Sequence, residues 1–157
     1  MQRGFTLIET VIYLALFAII VGGLIIAAYG LFENSGRNQT KSMLQDEQNF
    51  VLNKILFSLE SANSVSAPAS GASGSALTFT TYGGSTVTVA LSGTNVIWNG
   101  GVLPLNNSNV SVTQLTFTHA GNSTNPESIK IDMTVSTKAP SGQTITQIAS
   151  ATRYIRK

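Results

Sequence analysis

Between Thr10 and Phe32 there is no Asp, Glu, Lys or Arg, and the 23 residues are drawn mainly from Ile, Leu, Ala, Val and Phe. As a helix this run extends about 35 Å, enough for a hydrocarbon core of about 30 Å. Taken alone, it reads as a transmembrane anchor or an uncleaved signal peptide. A secretory signal has a basic start, a shorter apolar region and a small-residue cleavage site after it. Arg3 supplies the basic start, but Glu33-Asn34-Ser35-Gly36-Arg37 offers no such site. Arg3 before the run and Arg37 and Lys41 after it leave no charge bias to set the orientation.

Composition narrows the function classes. Charged residues make up 10% of the chain, against about 25% in ordinary soluble domains. The formal charge of +2 and the lack of a basic stripe do not describe an electrostatic nucleic-acid binder. With no Cys there is no disulfide framework and no thiolate metal site, and His119 is the one histidine. No enzyme, cofactor or metal is expected. A binding, structural or assembly role remains.

Just before the run, Arg3-Gly4-Phe5-Thr6-Leu7-Ile8-Glu9 places one carboxylate in an apolar setting. A charge at the bilayer centre costs about 2.5–3.5 kcal/mol on insertion scales, and less near the interface. The positive end of the helix dipole favours an acid in the first turn. That explains why Glu9 is tolerated, but not the residues around it. The stretch Gly4-Phe5-Thr6-Leu7-Ile8-Glu9, between a short basic leader and an apolar run, resembles the prepilin-type N-terminus. Type IV pilins and the pseudopilins of type II secretion and DNA-uptake machines share it. The specific resemblance covers residues 1–32. A looser, architectural one covers the rest.

The resemblance implies a leader at residues 1–4 that a membrane prepilin peptidase removes after Gly4, leaving Phe5 as the N-methylated mature N-terminus. It implies that Glu9, fifth in the mature chain, pairs with the N-terminal amine of a neighbouring subunit. Acid and ammonium attract strongly in a low-dielectric core, and each alone is costly to bury. The implied partners are the peptidase, other pilin or pseudopilin subunits, an inner-membrane assembly platform and membrane lipid. The implied location is a single pass in the cytoplasmic membrane, then a periplasmic or cell-surface filament. Many major subunits carry a Pro about 22 residues into the mature helix, whereas Ile26 stands there in this chain and the first Pro is Pro68. Gly22, Gly23 and Gly30 loosen the helix instead, at about 1 kcal/mol each against Ala. This departure favours a minor or initiating subunit.

From Asn38 the chain turns amphipathic. Met43, Phe50 and Phe57 recur at seven, Leu44, Val51, Ile55 and Leu59 fill the same side, and Gln48 falls with the polar residues. The period is helical and predicts a stripe packed on a sheet. One helix is expected over 5–62, its core half at 5–32 and its amphipathic half at 33–62. Residues 63–75, nearly all Ser, Ala, Gly and Asn, read as a flexible linker. The period then drops to two over 76–157. Turns are expected at Gly83-Gly84-Ser85, Ser92-Gly93-Thr94 and Gly100-Gly101, and a bulge near Thr113-Gln114. The clearest strand is Ile129–Val135, and a last one runs through Ile145, Ile148 and Tyr154. The fold class is α+β: a long N-terminal helix packed on an antiparallel sheet.

The remaining candidates carry little chemistry. Lys130 and Asp132 form a surface charge pattern. His119 is expected at a solvent-facing loop tip, and Trp98 as core filling. The Arg153, Arg156, Lys157 tail is basic, the sole hint of a nucleic-acid contact. Asn-x-Ser/Thr triplets start at Asn38, Asn106, Asn109 and Asn122, as many as chance gives in so Ser/Thr-rich a chain. The sequence therefore leads to a prepilin-like structural subunit of a pilus, pseudopilus or DNA-uptake filament. The rival reading is a membrane-anchored extracytoplasmic binding module that does not polymerise.

Overall fold

A computed structural model describes residues 6–101, 103–121 and 127–155. The chain divides into two compact units, Met1–Gln39 and Thr40–Lys157. The first described element is α1, Leu7–Leu59, an unbroken helix that continues through Gly22, Gly23 and Gly30.

The second unit is the C-terminal part of α1 with eight strands. These are β1 (Ala62–Ala67), β2 (Ser73–Gly74), β3 (Ala76–Thr81), β4 (Thr86–Ser92), β5 (Asn95–Trp98), β6 (Ser111–Ala120), β7 (Ser128–Lys138) and β8 (Thr144–Tyr154). They form two four-stranded antiparallel sheets, ordered β1-β3-β4-β5 and β2-β6-β7-β8. The α+β class holds, with two sheets in place of one. The break lies between β5 and β6. Asn99 and Gly100 adopt φ of 51° and 66°, and the amide of Gly101 bonds back to the Trp98 carbonyl at 2.8 Å. This Asn-Gly reversal ends β5, since residues with positive φ cannot continue a strand.

Asn106 then closes the crossing. Its Oδ1 accepts the Val96 amide at 2.8 Å, and its Nδ2 donates to the Val110 carbonyl at 2.7 Å. Only 2% of Asn106 is exposed, which removes its Asn-x-Ser triplet from the accessible glycosylation positions. Replacing it strands a buried amide and a buried carbonyl, at about 1–3 kcal/mol each. Asn106→Ala is therefore expected to lower the urea midpoint of unfolding, with an unchanged denaturant slope.

One apolar cluster serves both sheets. From α1 come Leu44, Val51, Leu52, Ile55 and Leu59; the first sheet adds Leu77, Phe79, Val89 and Val96. The second sheet adds Val112, Leu115, Phe117, Ile129, Ile131, Met133 and Val135. The period of two aims these side chains inward. The inward phase of β6 shifts at the expected bulge, between Val112 and Gln114.

Three expectations are corrected. Residues 63–75 are not a connector: they carry β2 and most of β1, whose side chains, Val65 apart, are small or polar and show no alternation. The β-rich unit thus starts at Ala62 rather than 76, and α1 ends at Leu59 rather than 62. On α1, Met43, Phe50 and Phe57 lie on the surface, whereas Gln48 is buried and donates to the Met133 and Gln147 carbonyls at 3.4 and 3.5 Å. Residues seven apart stay within about 20° on a helix. The Met43 row therefore stays together, but beside the buried row rather than within it. His119 is the third. It is buried on β6, with Nδ1 2.8 Å from the Pro68 carbonyl and Nε2 3.4 Å from Glu127 Oε1. The alternation Leu115, Phe117, His119 simply continues inward. The 69–72 segment covers it, with the Gly71 amide on the His119 carbonyl and the His119 amide on the Ala72 carbonyl.

Candidate functional site

The site begins where α1 begins. The Thr6 carbonyl accepts the amides of Glu9 and Thr10 at 3.1 and 3.2 Å, and Thr10 Oγ1 donates to the Leu7 carbonyl at 2.8 Å. Glu9 is the acidic residue of the first turn, where unpaired helix amides create positive potential. Tyr13 lies one turn on, and its hydroxyl donates to Glu9 Oε1 at 3.2 Å. The sequence reading missed this contact; the signal available was the i, i+4 spacing. Gly4 and Phe5 lie outside the described residues.

From Thr10 to Phe32 the helix carries no charge on any side. Leu7, Ile8, Leu14, Phe17, Ile19 and Ile26 are all more than 60% exposed. By length and composition this helix can cross a membrane. An apolar surface of this extent is far beyond the few hundred Å² that soluble monomers expose. It requires lipid or protein around it, and one carboxylate stands at its start.

A family profile, the prokaryotic N-terminal methylation motif, matches residues 1–25. Residues 1–25 are a type IV pilin-like prepilin motif. No curated protein and no solved structure gives a significant match. The prepilin motif spans Gly4, Phe5 and Glu9 and much of the apolar run, so the match falls on the segment that the geometry singles out. The match covers 25 of the 157 residues and supports a prepilin-type N-terminus there; such a motif implies processing by a prepilin peptidase and assembly with other pilins.

The other candidates do not converge on a second centre. Among the described residues, no three His, Asp or Glu side chains are grouped to hold a metal. Trp98 is half-buried against the core. Arg153 donates to Glu60 at 2.8 Å, tying β8 to the residue after α1, while Arg156 and Lys157 lie outside the described residues. Lys130 and Asp132 form the expected surface pair at 3.0 Å. The Ser150 hydroxyl, then Lys130, hold the Asp132 carboxyl below its usual range. A carboxylate whose pKa is lowered on folding stabilises the fold above its unfolded pKa. That contribution disappears as pH falls through the folded value. Asp132→Asn is thus expected to lower thermal stability modestly at pH 7, to match the wild type in acid, and so to flatten the loss of stability below about pH 4.

Proposed function

We propose that this chain is a minor, initiating subunit of a type IV pilus or of a related pseudopilus or DNA-uptake filament. The observation that carries the reading is a prepilin motif at residues 1–25 running into an apolar, fully exposed helix. In this reading the peptidase cuts after Gly4, Phe5 becomes the methylated N-terminus, and residues 10–32 hold the subunit in the cytoplasmic membrane. On assembly the same helix moves into the filament core, and the Glu9 carboxylate pairs with the Phe5 amine of a neighbour. The β-rich unit then faces outward. The minor role is supported by Ile26 at the position where many major subunits have Pro.

The test is deletion with quantification. Cells lacking this chain should lose assembled filaments while still making the major subunit. In wild-type cells the chain should be a small fraction of the protein in sheared filaments. High copy number there reassigns it as a major subunit. Undisturbed filaments in the deletion strain remove the initiating role.

A further inference from the structure

Where α1 ends, a cavity of about 440 Å³ is lined by Lys54, Phe57, Ser58, Glu60, Ser61 and Trp98. That volume lies within the range of small-molecule sites, which pair apolar walls with a few placed polar groups. Phe57 is 72% exposed, and Trp98 is half-buried beside it in the lining. Phe57 and Trp98 together give this cavity two aromatic lining residues.

The polar lining restricts what that contact takes. Ser58 Oγ donates its one hydrogen to the Ile55 carbonyl at 2.6 Å, and Ser61 Oγ donates to the Ser58 carbonyl at 2.8 Å. Both hydroxyls therefore offer an incoming molecule only lone pairs. Glu60, whose Oε1 holds Arg153, adds another acceptor. Lys54 is the one cationic residue of the lining. A polyanion needs an array of donors and cations, but here one lysine shares the lining with a carboxylate and two donor-spent hydroxyls. A purely apolar ligand would leave those acceptors unpaired. The lining suits a molecule with its own rim of hydroxyl donors and acceptors and an apolar face for the aromatic rings. A pyranose has that shape.

We propose that the Phe57–Trp98 cavity binds neutral oligosaccharide. The proposal does not rest on the assembly reading. Failure of the test below leaves the assembly reading untouched, and the reverse also holds.

Trp98 is the one tryptophan of the chain, so its emission reports on the cavity directly. The full chain, in a detergent without a sugar headgroup, is titrated with cellohexaose, maltohexaose and chitohexaose, and in parallel with the oligonucleotide dT12. The expected result is a saturable shift of Trp98 emission with at least one hexasaccharide and none with dT12. Loss of a stacked ring should weaken that binding about tenfold in Phe57→Ala. Phe57 is a surface residue, so the variant keeps its fold. Phe50→Ala removes another surface aromatic of the same helix that does not line the cavity, and it should bind as wild type. A response to dT12 alone, no response to any hexasaccharide, or full binding by Phe57→Ala overturns the proposal.

Discussion

Glu9→Ala should reach the membrane in normal amounts and almost vanish from sheared filaments. Insertion depends on the charge-free run from Thr10 to Phe32, which the substitution leaves intact. In the proposed assembly the carboxylate pairs with a neighbour's N-terminal amine. Breaking a buried ion pair by removing one partner costs about 3–5 kcal/mol, because the other charge remains in a low-dielectric site. That corresponds to a loss of incorporation of roughly two to four orders of magnitude. Glu9→Gln should fail almost as badly, since it keeps the size and loses the charge. Tyr13→Phe removes only the hydroxyl that holds Glu9 Oε1, and it should reduce incorporation without abolishing it. Membrane and sheared fractions compared by immunoblot give all three values. Normal incorporation of Glu9→Ala would sink the pairing mechanism.

The second large effect is on the stability of the β-rich unit, and it separates the two rows of α1. Leu44 is fully buried, while Phe50 is 54% exposed. Leu44→Ala should destabilise the unit by about 2–5 kcal/mol, through lost burial plus an unfilled cavity. Phe50→Ala should change stability by no more than about 0.5 kcal/mol. Domains of this size are stable by about 5–15 kcal/mol, so the first variant should lower the melting temperature by many degrees. Circular dichroism melts of the two variants give the comparison directly. Equal effects would mean that the Met43, Phe50, Phe57 row packs in the core after all.

The N-terminal motif was the most legible part of the chain, because its signal is local. A leader, an acid and an apolar run in fixed order need no knowledge of packing. The strands with large alternating side chains, such as Ile129–Val135, were equally plain, as was the bulge between Val112 and Gln114. β1 and β2 were not, because a single large apolar residue, Val65, among Ala, Ser, Asn and Gly gives no in-and-out contrast. The division into two sheets was hidden as well. It depends on the positive φ at Asn99 and on Asn106 satisfying Val96 and Val110 across the gap. His119 shows the same limit. A histidine followed by Ala-Gly-Asn reads as a turn, yet the inward phase set by Leu115 and Phe117 carries it into the interior. On α1 the heptad spacing was read correctly, but spacing alone does not say which of two adjacent apolar rows meets the sheets.

The most direct test is the mass of the mature N-terminus. Protein is isolated from the membrane and sheared fractions of cells that make a prepilin peptidase, and intact mass is combined with N-terminal sequencing. The expected chain begins at Phe5 with one added methyl group, and it is found in the sheared fraction. A chain that still begins at Met1 and stays monomeric in the membrane contradicts prepilin processing and leaves an anchored binding module.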